Sequence, residues 1–547
     1  MYHRTFTGGN PKSRIRPRDL WIEALWVLGL LLAAGVLFGI NLGDLPLRDW
    51  DEATVAGVAR EIWQASGNSL KWLYPTLGGE AYHNKPPLMH LLIAAAYSVG
   101  GVSELTTRLP SAILTAVSVP LLYGIGREIF ASRTTAIFSA LIYLTLLPVV
   151  RVGRLAMLDG AVLCFSVFMM WCVLRSRRDM RWALGAGMGF GLICLTKGMM
   201  GLLLGAIALL FLSWDTPRLL TSWYVWLGLL LGSAPVAAWY AAQILHYGKN
   251  FVNTGVFDQS LLRIWTPVEN HKGPPWYYLL EIVKYAWPWL LFLPQGFRLA
   301  WDNRNLGWAK LVLVWSSVYL VVVSVMVTKL PWYVLPVYPA LALVAGAQLG
   351  EVWHWPSSRS YPRIWSRFLG LLGLLGFGGS LYFGGLGPTV DWHLQLILAS
   401  AALTLIVAAV LVAQKDLQFI LILLWGTYIS LLLLMISPHW VWELAEAYPV
   451  KDVAAMVKNH TPEGQKVYTS FEYGRPSLNF YSNRLVIAET REQLEQRWQK
   501  DSDPYLLLDQ DTFADLSLAR VKQLATVSTP TPKTTTWKLI KRGLSPK

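Results

Sequence analysis

From residue 20 to residue 436 the chain is a succession of long apolar runs separated by short polar stretches. The runs fall near 20–40, 109–128, 134–150, 160–175, 182–196, 198–214, 221–243, 279–298, 309–328, 332–350, 367–385, 392–413 and 416–436. Most approach the roughly 17–25 residues that cross a hydrocarbon core. The pattern predicts an all-α polytopic membrane protein with about thirteen transmembrane helices. The run "PPLMHLLIAAAYSVGG" (86–101) is apolar but short. It reads as a re-entrant or interfacial helix. After residue 436 the pattern changes. "KVYTSF", "RLVIAE" and "PYLLLDQ" read as strands, with "REQLEQRWQK" (491–500) as a helix between two of them. "STPTPKTTT" (528–536) reads as a loop. The expected organisation is a tail over 1–19, a transmembrane domain over 20–436 and a small C-terminal α/β domain over 437–547.

Basic residues set the expected orientation. Arg4, Lys12, Arg14, Arg16 and Arg18 place the N-terminus in the cytoplasm, and "RSRRDMR" (175–181) also belongs inside. Loops 41–108 and 244–278 and the C-terminal domain then lie outside the cell (plasma or inner) membrane. The first apolar run is long enough to stay as a helix rather than to be cleaved as a signal. Only 15% of residues are charged, against about 25% in soluble proteins. The net charge of +14 suits membrane lipids or phosphate partners. No soluble basic domain is visible, so no nucleic-acid partner is expected. Cys164, Cys172 and Cys194 lie in apolar runs without a CxxC pair, which predicts no zinc knuckle and no disulfide framework.

Candidate chemistry gathers in the outer segments. In "DWDEATVAGVAREIW" the positions Val55, Val58, Ala59 and Ile62 recur at helical spacing behind Asp49, Asp51 and Glu52. An N-cap on an interfacial helix accounts for one acid. Three acids in four residues beside a membrane point further, to a carboxylate acting as a base. "YHNKPPL" (82–88) holds Tyr82 and sets Lys85 before two prolines that bias it out of a helix. A lysine there meets a phosphate as a point charge, or simply snorkels. "RVGRLAMLDG" (151–160) carries Arg154 and Asp159, either functional or paired with each other. Lys197 in "LTKG" and Lys329 in "TKLPWY" sit beside helix breaks, as anionic head-group ligands or as helix-end anchors. "VENHKGPPWYY" (268–278) brings His271, Trp276 and Tyr277 together. A lone histidine is most often a surface residue, and a metal on it would need distant partners.

Taken in order, "DE", "AREI", "KPPL", "RLPSA", "LD", "LTKG", "PWYY" and "KLPWYVLPVYPALAL" resemble the GT-C glycosyltransferases. The likeness is to the branch holding the aminoarabinose transferase of lipid A, related to the protein O-mannosyltransferases. It covers roughly residues 20–350. The resemblance implies an inverting transfer of a sugar from a polyprenyl-phosphate donor to a lipid, glycan or protein acceptor on the outer face. It implies Asp51 as the acceptor-activating carboxylate, with Glu52 and Asp159 as further acidic positions and Lys85 as a phosphate ligand. In some relatives the position of His271 pairs with a glutamate around a divalent metal, the one cofactor the likeness suggests. Here that glutamate position is Asn84, and an arginine of the aminoarabinose branch is Thr54. The pattern implies a sister with a different sugar or acceptor. The alternative function is a polyprenyl-linked lipid flippase or transporter, which predicts inverted repeats and ionisable residues at mid-membrane.

Overall fold

The protein was analysed as a computed structural model that describes residues 17–65, 70–267, 271–356, 359–441, 450–529 and 535–543. Arg4, Lys12, Arg14 and Arg16, residues 268–270 and residues 530–534 of the expected loop lie outside it. The chain divides into two compact units. The first comprises Met1–Leu42, His83–Met89 and Arg108–Trp440, and the second Gly43–Tyr82, His90–Thr107 and Val441–Lys547.

The first unit is helical. Among the described residues nine helices are long and apolar enough to cross a membrane, from Leu20–Gly39 to Gln418–Ile436. A tenth span results if Arg133–Leu144 and Leu147–Arg154, bent by 56°, count as one. Trp182–Lys197 and Met199–Asp215 are shorter apolar helices. The chain is therefore a multi-pass membrane protein. One expected span is corrected. The run 279–298 is not a single helix but Tyr277–Tyr285, Trp289–Phe292 and Leu293–Asp302. Pro288 and Pro294 explain the break, because each lacks an N–H and crowds the preceding turn. The 86–101 run forms the 13-residue helix Leu88–Gly100. At 1.5 Å per residue it is about 20 Å long, short of a hydrocarbon core of about 30 Å.

Trp182–Lys197 crosses Trp223–Tyr247 with no side chains between them. A Cβ on Gly187 would lie 1.9 Å from the Gly228 carbonyl carbon, and one on Gly191 2.0 Å from the Gly232 oxygen. Small residues four apart let two backbones touch, as membrane helices favour.

The second unit is built on a five-stranded sheet. A short hairpin, β1 (Thr76–Leu77) and β2 (Glu80–Ala81), stands apart from it. The sheet comprises β3 (Lys466–Thr469), β4 (Leu485–Ala488), β5 (Tyr505–Asp509), β6 (Val521–Thr529) and β7 (Thr535–Arg542), in the order β4-β3-β5-β7-β6. β3 pairs in parallel with β4 and β5, whereas β7 is antiparallel to β5 and β6. Both faces are covered, because successive side chains of a strand point opposite ways. Leu507 joins Val453, Val457 and Leu478 on one side, and Leu506 and Leu508 join Leu494 and Trp498 on the other. The three expected strands and the Arg491–Lys500 helix form, the helix opened by a capping box between Thr490 and Gln493. β6 and β7 were not expected, and the 528–536 stretch contributes to both rather than being loop throughout.

Candidate active site

The three acids of the outer segment have three different environments within the second unit. Asp49 is an ion-pair partner: Arg475 Nε donates to its Oδ2 at 2.6 Å, and Ser477 N donates to Oδ1 at 2.9 Å. Glu52 is fully buried in the first turn of Glu52–Gln64 and accepts the Arg48 N–H at 3.0 Å. Asp51 occupies the N-cap position but accepts no capping hydrogen bond, having helical backbone angles itself. Its carboxylate meets the Arg48 guanidinium at 3.3 Å and keeps a quarter of its side-chain surface. The cap explanation therefore does not account for Asp51. Of the three acids it has the most exposed side chain. Tyr82 is buried, its ring edge-on to His90 at 5.4 Å, and burial pushes its hydroxyl well above the usual tyrosine range.

The cations belong to the first unit. Lys85 stands half-buried in irregular backbone just ahead of Leu88–Gly100, as the double proline requires. The stretch 83–86 runs past one helix break and one π-helical segment. A Cβ on Gly255 would meet the His83 carbonyl at 2.9 Å, and one on Gly198 would touch Pro86 at 4.0 Å. Gly198, at φ 51°, ends Trp182–Lys197 and starts Met199–Asp215. This presents Lys197, whose ammonium lies 5.3 Å from the centre of the Tyr333 ring. The hydroxyl of Tyr333 accepts from Arg263 Nη1 at 3.1 Å. Lys329 lies between Gly307–Val325 and Pro331–Trp353, its ammonium 5.2 Å from the Tyr278 ring. Three cations thus converge on two tyrosines, and the Lys85 corner passes the Gly198 break next to Lys197.

Two of these cations have their charge already engaged. Lys197 holds Asp159 at 2.7 Å, both side chains nearly buried. Asp159 is therefore not the partner of Arg154, as their closeness in the chain suggested. Arg154 is fully buried, donates to the carbonyls of Leu37 and Ile40, and lies 4.5 Å over the Trp440 ring. It closes the carbonyl end of the Leu20–Gly39 helix. Lys329 donates to the carbonyls of Val323 and Ser324 at 3.0 and 2.7 Å, and burial holds its ammonium below the usual lysine range. Arg263 escaped sequence reasoning. It follows a π-helical segment, Val252–Leu261, and contacts neutral groups, Tyr333 and Gln259. The visible signal was one arginine inside the apolar stretch "LLRIW".

The aromatic cluster divides. Trp276 is 59% exposed, Tyr277 half-buried and Tyr278 fully buried. His271 is exposed, and its carbonyl accepts from the Lys329 N–H at 2.9 Å. Among the described residues no three His, Cys, Asp or Glu side chains lie close enough to hold a metal ion. At position 84, where the resemblance expects a glutamate paired with His271, the side chain is an amide.

Comparison with known proteins gives the same fold. A family profile described as "Dolichyl-phosphate-mannose-protein mannosyltransferase" matches residues 84–241, the stretch from the lysine corner through the glycine seam. The crystal structure of ArnT from Cupriavidus metallidurans bound to undecaprenyl phosphate superposes with a TM-score of 0.75, covering 94% of this chain and 98% of that one at 18% identity. The chain thus shares the fold of ArnT. Among ArnT-like relatives, the undecaprenyl phosphate-alpha-4-amino-4-deoxy-L-arabinose arabinosyl transferase 1 of Pseudomonas fluorescens is 29% identical over 64% of this chain and 65% of its own. A second such transferase of that species is 28% identical over 85% of this chain and 78% of its own. The Pectobacterium carotovorum enzyme is 29% identical over 58% of each. The matched region thus spans less than two thirds of the first and last of these relatives.

Proposed function

We propose that this ArnT-like chain is an integral-membrane inverting glycosyltransferase. It moves a sugar from a polyprenyl-phosphate donor to a lipid, glycan or protein acceptor. The observation that carries this reading is the group of Lys197, Arg263 and Lys329 around Tyr333 and Tyr278, with the Lys85 corner passing the Gly198 break beside Lys197. Cations at broken membrane helices suit an anionic head group. Relatives whose names specify an undecaprenyl phosphate-linked sugar support the donor class.

The roles follow from the place and charge of each side chain. Lys85 and Arg263 are the leading ligands of the departing phosphate, Arg263 because its planar fork contacts the neutral Tyr333 and Gln259 among the described residues. Lys197 and Asp159 act as a pair that supports this group, and Lys329 adds positive charge behind it. Asp51 takes the proton of the acceptor nucleophile, which attacks the anomeric carbon as the sugar–phosphate bond breaks. Neutralising the leaving phosphate and positioning one base is what such a displacement requires. No nucleotide-sugar site is needed. Asn84 and Thr54 favour a sugar or acceptor other than the relatives'. The N-terminus is assigned to the cytoplasm, and the acidic loop and C-terminal domain to the outer face of the cell membrane.

The test is turnover in proteoliposomes loaded with a mixed pool of polyprenyl-phosphate sugars and an envelope extract as acceptor. Mass spectrometry compares wild type with Asp51→Asn. Consumption of one donor by wild type alone supports the reading and names the sugar. No donor consumed by either protein, with lipid moved across the same vesicles, favours the flippase alternative.

A further inference from the structure

Within the second unit, the segment carrying Asp51 is held from both sides by a single element of the C-terminal region. On the N-terminal side Asp49 is gripped three times: by Arg475 Nε at 2.6 Å, by the Ser477 N–H at 2.9 Å and by the Ser477 hydroxyl. Leu47 N donates to Tyr481 Oη at 2.9 Å. On the C-terminal side Arg60 Nη1 donates to the Phe480 carbonyl at 2.6 Å. All these partners lie on or just before the helix Pro476–Ser482. Leu47, Ala53, Ala56 and Phe480 bury a small apolar cluster between the two segments. The Asp49 and Arg475 side chains are only 10% and 6% exposed.

We infer that Arg475 is a positioning residue for Asp51, and that the C-terminal region serves as the scaffold of the acidic loop. The inference rests on the base role proposed for Asp51. Only Trp50 separates Asp51 from the gripped Asp49, two Cα steps of about 7 Å at most. Asp49 also satisfies the Ser477 N–H, which belongs to the first turn of its helix and has no partner within that helix. Removing Arg475 frees one Asp49 oxygen and loosens the chain immediately before Asp51. Misplacement of a catalytic group by about 1 Å costs on the order of 10²-fold in rate.

The experiment uses the full chain in proteoliposomes with a mixed pool of polyprenyl-phosphate sugars and envelope extract. Wild type, Arg475→Gln, Asp49→Asn, the double variant and Asp51→Asn are compared, with turnover normalised to monodisperse folded protein. The expected result is a fall in kcat of about 10²-fold in each single variant, with the donor KM unchanged. The double variant should be no worse than either, since both remove one contact. Ser477→Ala, which keeps the backbone donor, should show a smaller fall of the same kind and guards against misfolding of the charged variants. Unchanged kcat per folded molecule in Arg475→Gln and Asp49→Asn, with Asp51→Asn inactive, overturns the positioning role and leaves the base role standing. Full turnover by Asp51→Asn overturns both.

Discussion

Lys197 closes one helix and Asp159 opens another, and their side chains meet at 2.7 Å with almost no solvent contact. Removing one partner of such a pair leaves an uncompensated buried charge. Asp159→Ala is expected to cost roughly 3–5 kcal/mol, and Asp159→Leu with Lys197→Met considerably less. Thermal unfolding in detergent micelles checks this. Equal destabilisation by the single and the double variants would contradict it.

Lys85→Ala and Arg263→Ala are expected to weaken binding of a polyprenyl phosphate about 10-fold or more, the worth of one charge-assisted hydrogen bond. Unfolding temperature should change little for Lys85. Arg263→Lys should recover only part of the affinity, because an ammonium cannot reproduce the guanidinium fork. Titration of purified protein with the lipid measures each. An unchanged Kd in both alanine variants would remove the phosphate assignment.

Gly198 combines a φ of 51° with a ψ of −113°. A Cβ there would also meet the Tyr240 hydroxyl at 2.9 Å. Gly198→Ala is expected to destabilise the protein by about 1–3 kcal/mol. Gly29, in the Leu20–Gly39 helix with nothing within 4 Å, provides the contrast. Gly29→Ala should be neutral or stabilising by up to about 1 kcal/mol. Unfolding curves of the two variants, recorded side by side, decide it.

Asp509 caps Gln510–Asp515 from the end of β5. Burial alone would raise its carboxyl. Donation from the Thr512 N–H and from the Ser470 and Thr512 hydroxyls outweighs burial and holds it below the usual aspartate range. A depressed folded value gives stability that is present above the unfolded value, near 3.9, and is lost as pH falls through the folded one. Asp509→Ala should therefore cost about 1 kcal/mol at pH 7. The gap to wild type should close as pH drops below about 4. Hydrogen exchange of β5 as a function of pH measures it, and a gap independent of pH would refute it.

Much of the fold was legible because membrane spans announce themselves by length and strands by alternation. The run 279–298 misled because apolar character persists through Pro288 and Pro294, which hydropathy does not penalise. β6 and β7 were missed because their residues, such as "VKQLATVST", are polar and half-exposed. The site divides in the same way. Lys85, Lys197 and Lys329 were visible as charges at breaks in apolar sequence. The partner of Asp159 was not, since Lys197 is 38 residues away whereas Arg154 is its near neighbour. Asp49 looked like its two acidic neighbours, and only the tertiary contact with Arg475 separates them.

The seam of Gly187 and Gly191 against Gly228 and Gly232 has a bearing on lipid traffic. Where two backbones touch, no gap remains for an acyl or isoprenoid chain. The seam itself is closed, but an apolar cavity lined by Gly187, Phe190, Leu202 and Leu209 opens directly beside it. Replacing Gly187 by a larger residue would do more than strain the pair of helices. It would also intrude on the apolar cavity that Gly187 helps to line.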